Sequence, residues 1–208
     1  DVSSDLERIL KKARTELAYF GFHSDVELFM YDDAINEHNY KVKTIQNLIK
    51  MPILTTDYVR DVYIYSEKSK YIISLLGVAD FSNFIDRELI EIYQNQGEKK
   101  RNLLLLPSSS QGYERNFLTV FQKVQYGKQQ NGINMMKLDP EEVIEELSLP
   151  ENATVFITDG DSILLSKDEN FLGKSIKEIP NYTGLDSEEL VLDNFYCTSS
   201  LKLISFNA

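Results

Sequence analysis

DVSSDLERILKKARTELAYFGFHSDVELFMYDDAINEHNYKVKTIQNLIK, the run from Asp1 to Lys50, carries the pattern on which the reading of the fold turns. Apolar side chains fall at Leu6, Leu10, Ala13, Leu17, Phe20, Leu28, Tyr31, Ile35, Val42, Ile45 and Ile49, largely at steps of three and four. That beat lines one face of an α-helix. Ser24 and His38 occupy two positions of the stripe, and the beat slips once between Ser24 and Leu28, as a stutter would. Ser3 or Ser4 can cap the start, and Glu7 is placed to complete a capping box with Ser4. No proline intervenes before Pro52, although Gly21 is a point at which the helix can kink. The expectation is one spine helix over residues 1–50. At about 1.5 Å per residue, about 45 residues would reach roughly 65 Å, more than the width of a small domain.

Beyond Pro52 the period changes. Val62-Tyr63-Ile64-Tyr65 alternates as a strand does, residues 66–69 form a polar turn, and Tyr71-Ile72-Ile73 returns. Asp80 can cap a helix with Phe81, Phe84, Ile85, Leu89 and Ile92 on one face, closed by Gly97. Strands are expected at Leu103 to Leu106, Phe117 to Val124 and Ile133 to Leu138, with Gly127 and Gly132 bracketing the last turn. Asp139-Pro140-Glu141-Glu142 is a helix start: Asp139 caps, Pro140 takes the first helical position, and Glu142 can reach back to the cap. Val143, Ile144 and Leu147 would be its buried side, and Pro150 its end.

The pattern then restarts on a smaller scale. Val155 to Thr158 and Ile163 to Leu165 flank Asp159-Gly160-Asp161, an Asp-Gly hairpin turn. A short helical stretch around Ser175 to Ile179 follows, then strands near Leu190 to Leu192 and Phe195 to Phe206. The fold class is therefore α+β: a long N-terminal helix at 1–50 supporting two antiparallel-sheet units, at 51–150 and 151–208.

Composition narrows the function. Apolar residues make up 42%, with 12 Tyr and 11 Phe, enough for a proper core. The net charge of −11 repels nucleic-acid phosphate and anionic lipid, and the largest basic cluster is Lys99-Lys100-Arg101. A single cysteine, Cys197, cannot form an internal disulfide and reads as packing within a strand-like run. No run approaches the roughly 18 apolar residues of a membrane span. The chain starts at Asp1 and ends at Ala208 directly after a strand pattern, so it is expected to be an excised soluble piece of something longer.

Three stretches resemble the double-Cache family of bacterial extracellular sensors: Asp57 to Ser66, Gly132 to Glu141, and Phe156 to Asp161 running on through Leu172-Gly173-Lys174. The likeness covers nearly the whole chain. It implies a long helix bearing a membrane-distal and a membrane-proximal PAS-like unit, with a small molecule bound in the distal one. The chain is most similar to sensors of transmembrane AraC-type transcription regulators of Firmicutes, and histidine kinases and chemoreceptors share the same sensor. The resemblance thus implies an anchor in the cell membrane supplied by flanking segments, exposure on its extracellular face, and a homodimer through the N-terminal helix as one arrangement. The amino-acid-binding signature of the family is not matched, because the chain has no Trp and Glu91 to Gln96 does not fit it.

No catalytic set can be assembled. The two histidines, His23 and His38, lie fifteen residues apart on the expected helix, about 22 Å by helical rise, and cannot meet one metal. Ser110 lies in no strand-turn-helix elbow, and Leu106 to Gly112 lacks the lysine of a phosphate-binding loop. Asp159, Asp161, Asp168 and Glu169 have the wrong spacing for a calcium loop. The expectation is a non-enzymatic protein with no cofactor. Its candidate ligand residues are Tyr63, Tyr65, Tyr71, Arg101, Tyr113, Arg115, Gln122 and Tyr126, with Phe81 and Asn134 nearby. Aromatic walls and a few polar groups suit a small organic ligand, and Arg101 or Arg115 could pair an anion. Alternation puts Tyr63 and Tyr65 on one strand face and Val62 and Ile64 on the other, leaving open which face points to the cavity.

Overall fold

The computed structural model describes residues 1–32, 39–97, 100–108, 115–149, 153–179, 187–190 and 201–207. The N-terminal apolar stripe folds as helices α1 (Val2–Gly21), α2 (Ser24–Tyr31) and α3 (Asn39–Thr55). Leu6, Ile9, Leu10, Ala13, Leu17 and Phe20 of α1 are buried as the beat requires. Asp1 is the cap, accepting from the Ser4 backbone N–H at 2.9 Å, so the helix starts ahead of Ser3 and Ser4.

The spine is not one continuous helix. It breaks at Phe22 and His23, where His23 turns extended and its Nδ1 accepts from the Asp25 N–H at 3.2 Å, capping α2. Gly21 propagates a helix poorly, and the polar run His23-Ser24-Asp25 offers the backbone side-chain partners in place of helical ones. A rod of roughly 65 Å would also overrun the sheet beneath it. α1 lies on β5 and β6, strands of 12 and 10 residues that reach at most about 40 Å at about 3.3 Å per residue. The slip in the beat at Ser24 marks the break.

The first sheet comprises β1 (Val59–Ser66), β2 (Tyr71–Ser74), β3 (Gly77–Asp80), β4 (Leu103–Ser108), β5 (Arg115–Tyr126) and β6 (Gln129–Leu138). All neighbours are antiparallel, in the order β3-β2-β1-β6-β5-β4. β3 is the strand that periodicity did not show, being only four residues long and half-buried throughout. Val62, Ile64, Ile73, Leu118, Val120, Met136 and Leu138 face the helices and join the core built with α1, α2 and α3. Gly132 on β6 is wedged there: a Cβ would collide with the Tyr65 carbonyl oxygen and the Met30 side chain.

The opposite face is covered by α4 (Arg87–Asn95). The helix expected from Asp80 starts later, because Asp80 caps only a single 3-10 turn at Phe81–Asn83, accepting from the Ser82 N–H at 2.8 Å. Its buried side is Leu89, Ile90 and Tyr93, with Phe84 ahead of it, while Ile85 and Ile92 are exposed. Next along the chain, α5 (Pro140–Glu145) begins as anticipated with Asp139 capping and Pro140 first, although Glu142 pairs with Arg60 at 3.0 Å in place of reaching back to the cap.

The second sheet holds β7 (Ala153–Asp159), β8 (Ser162–Ser166), β9 (Ser187–Leu190) and β10 (Leu201–Asn207), in the order β8-β7-β10-β9. Gly160, at φ 61°, makes the β7–β8 turn. Phe156, Ile163, Ile176, Ile179 and Ile204 form its own core. A capping box between Ser175 and Glu178 starts the 3-10 turn Ile176–Glu178 within the expected helical stretch. His38, Ser110, Tyr113, Pro150 and Cys197 lie outside the described residues.

Candidate functional site

Alternation along β1 sends Tyr63 and Tyr65 to the α4 side and Val62 and Ile64 to the helices. This resolves which way the tyrosines point. Asp61 precedes them on the same side and lies opposite Lys137 of β6, while Tyr63 lies opposite Met135. On β5, Thr119 and Phe121 lie opposite the same two β6 residues. The register therefore brings a lysine into the middle of an aromatic face.

Lys137 is 0% exposed. Its Nζ donates to Asp86 Oδ2 at 2.8 Å and to Ser108 Oγ at 2.9 Å, and it pairs with Asp61 Oδ2 at 2.9 Å. The Tyr63 and Phe117 ring centroids stand 5.1 and 5.0 Å from Nζ, within reach of a cation–π attraction. Asp86 occupies the N-cap position of α4 but makes no capping bond. Its Oδ2 accepts from the Tyr63 hydroxyl at 2.7 Å, and its Oδ1 from the Ser108 hydroxyl at 2.7 Å. Burial pushes the Asp86 carboxyl up, but the Lys137 charge and the hydrogen bonds from Lys137, Tyr63 and Ser108 outweigh it and hold the group below the usual carboxylate range. Asp86 is thus held as the carboxylate beside Lys137.

A second polar group sits at the other end of α4. Gln94 donates to Glu67, Lys70 Nζ reaches Glu67 Oε2 at 3.0 Å, and the Tyr65 hydroxyl donates to Glu67 Oε2 at 3.3 Å. Between the two ends, Tyr93 stacks on Phe121 with ring centroids 4.5 Å apart and 4° between planes, and its hydroxyl donates to Asn102 Oδ1 at 2.8 Å. Burial pushes the Tyr93 hydroxyl up to about 12. Phe84 meets Tyr63 edge-on at 4.9 Å, and Phe81 leans on Tyr65 at 5.4 Å. One short helix, tied by a carboxylate at its start and an amide at its end, thus closes an aromatic floor.

The remaining candidates are dispersed. Tyr71 packs on the helix-side core. Tyr126 donates to the Gly21 carbonyl, and Gln122 donates to the Lys123 carbonyl at 3.0 Å; both line a cavity of about 210 Å³ between the end of α1 and β5. Asn134 donates to the Leu17 carbonyl at 2.9 Å, and its buried Oδ1 has no hydrogen-bond partner. Arg101 pairs with Asp159 of the second sheet at 2.8 Å. Burial raises the Asp159 carboxyl, and the Arg101 charge works against it. Arg115 pairs with Asp139 at 3.1 Å and Glu141 at 2.7 Å, and reaches Glu169 at 3.5 Å. Both arginines considered for an anionic ligand are therefore engaged with carboxylates. Tyr63, Tyr65 and Phe81 are the candidates gathered under α4.

Sequence reasoning passed over Asp61, Asp86, Ser108 and Lys137. A signal was present for one of them: Lys137 sits at an inward position of the apolar run Ile133 to Leu138. Its partners arrive from β1, β4 and the α4 N-terminus, which no local pattern discloses. Among the described residues no group of three or more His, Cys, Asp and Glu is arranged to hold a metal ion, and no helix is long and apolar enough to cross a membrane.

No family model and no curated protein matches the sequence. Solved structures do match in fold. The domain of a sensory box/GGDEF family protein from Vibrio parahaemolyticus is 11% identical, with a TM-score of 0.66, covering 99% of this chain and 92% of its own. The ligand-binding domain of the amino-acid chemoreceptor PctB of Pseudomonas aeruginosa PAO1, in complex with L-Arg, is 15% identical, with a TM-score of 0.66 and coverage of 99% and 90%. The extracellular domain of the histidine kinase vpHK1S-Z8 is 12% identical, with a TM-score of 0.55 and coverage of 98% and 93%. The chain shares, over nearly its whole length, the α+β fold of sensory ligand-binding domains.

Proposed function

We propose that this chain is the extracellular ligand-sensing domain of a membrane-anchored bacterial signalling protein, binding a small organic molecule within residues 51–150. The observation that carries this reading is the aromatic floor of Tyr63, Tyr65 and Phe121 with polar clusters at both ends, closed by the single short helix α4, whose Tyr93 stacks on Phe121. A lid so small can move without unfolding the sheet, and a ligand that favours one lid position shifts the balance between two packings. The fold, shared with sensory domains, supports the same reading.

The sequence resemblance favours an AraC-type transcription regulator as the parent. A histidine kinase or chemoreceptor is the alternative that the structural neighbours favour. In either case the chain is read as a non-enzymatic sensor tethered by membrane spans flanking it in the gene. A second reading, a ligand-free module that pairs two copies through α1, is favoured by Tyr19 on that helix and Phe22 just past its end, which are 60% and 85% exposed.

A thermal-shift screen with organic acids, sugars, amines, amino acids and peptides tests the proposal. At least one compound should raise Tm in proportion to the logarithm of its concentration, and a Tyr65→Ala or Tyr93→Ala substitution should abolish that rise. A blank screen together with a concentration-dependent dimer in sedimentation would favour the second reading. Apolar spans in the gene ahead of Asp1 and beyond Ala208 are expected, and their absence would remove the membrane tether.

A further inference from the structure

We propose that Lys137 is a tethered ligand: its ammonium fills, from within the chain, a cage built to hold a primary ammonium ion, and so closes that cage to free amines. The inference rests on the sensing reading only for its consequence, that the ligand of this domain is recognised without Asp86. The cage itself stands on geometry.

Oxygen atoms from three elements hold the ammonium. A primary ammonium has three N–H bonds; among the described residues Asp86 Oδ2 and Ser108 Oγ accept from Nζ and Asp61 Oδ2 pairs with it, all between 2.8 and 2.9 Å away. They come from three separate elements, β1, the start of α4 and β4, so the cation ties the lid to both the centre and the edge of the sheet. Tyr63 and Phe117 supply π faces on two further sides. Tyr63 and Ser108 also hold the Asp86 carboxylate in place by donating to it, a supporting layer that fixes its orientation. Ordinary lysine ion pairs are exposed and worth little. This one sits in the aromatic face on which the fold places its polar groups. A ligand reaching this end of the floor finds the carboxylate already taken.

Deleting the side chain beyond Cβ removes three methylenes and the ammonium, which is the shape of n-propylammonium. Lys137→Ala should therefore create a receptor for that ion. Thermal denaturation of Lys137→Ala with n-propylammonium should show Tm rising by several degrees with the logarithm of concentration. n-Propanol, which lacks the charge, and tetramethylammonium, which keeps the charge but has no N–H, should have little effect. Wild type should show no such rise, nor should Lys137→Ala combined with Asp86→Asn. If Lys137→Ala does not fold alone, its refolding yield with and without n-propylammonium becomes the readout, and recovery is expected with that ion only.

Absence of any amine effect on Lys137→Ala, on either stability or refolding, would overturn the proposal. An equal amine effect on wild type would overturn it too, because the cage would then be open. Neither outcome touches the sensing reading, which fails only on a blank ligand screen of the wild-type chain.

Discussion

Lys137 and Asp86 form a buried ion pair, and the physics of such pairs is asymmetric. Removing one partner strands the other charge in a medium that solvates it poorly, at a cost of about 3–5 kcal/mol. Lys137→Met should lose roughly that much in urea denaturation at neutral pH. Part of the loss should return on acidification, because Asp86 without its cation takes up a proton and ceases to be a buried charge. The wild-type chain has the opposite slope. Its Asp86 carboxyl is held below the ordinary range, so the stability it contributes is complete above the unfolded value of about 4 and is lost as pH falls through the folded value. Asp86→Asn should remove that part of the acid limb. A second residue-scale test concerns space. Gly132 has the Tyr65 carbonyl and Met30 where a Cβ would go, so Gly132→Ala should cost about 1–3 kcal/mol through overpacking.

At the scale of elements, the helix layer shows what an apolar stripe does and does not decide. Leu10 and Leu17 are fully buried against the sheet, and Leu10→Ala should cost about 2–5 kcal/mol in chemical denaturation. Phe22, just past the end of the same helix, is 85% exposed, and Phe22→Ala should change stability by less than about 0.5 kcal/mol. A large effect at Phe22 would mean that this face is covered in solution. The lid α4 shows a related effect. Its start is decided by Asp86, which gives up the role of cap in favour of Lys137, so the helix begins at Arg87, beyond the nearest strong capping signal at Asp80.

At the scale of the molecule, the two sheets communicate through charged contacts. Arg101, just ahead of β4, holds Asp159 at the end of β7, and Arg115 of β5 gathers Asp139 and Glu141 and reaches Glu169. Asp159 is 3% exposed and its carboxyl is raised by burial. Arg101→Met should therefore destabilise the chain more at pH 8 than at pH 5, because Asp159 loses that guanidinium while burial already favours the protonated form of its carboxyl. Urea unfolding at the two pH values checks this, and an effect independent of pH would mean that Asp159 is not carrying the contact. Such contacts are where a change under α4 could reach the second sheet, since β4 supplies Ser108 to the lysine cage and follows directly from Arg101 and Asn102.

Local pattern by itself determined the α+β class, most of the strands, the Asp139-Pro140 helix start and the Asp-Gly hairpin, because periodicity, capping and turn chemistry act over a few residues. The same pattern overreached where a longer-range constraint applied. The stripe, with its one slip, reads as one rod, but the strands under α1 reach only about 40 Å at about 3.3 Å per residue, so a rod of roughly 65 Å cannot stay on them and the chain turns at His23. Alternation placed Tyr63 and Tyr65 together but could not say on which face, since that depends on where the helices settle. The lysine cage was beyond reach for the same reason. Asp61, Asp86, Ser108 and Lys137 are spread over 77 positions of the chain, and only the strand order β1-β6-β5-β4, with a lid from between β3 and β4, brings these groups together, where burial makes each depend on the others.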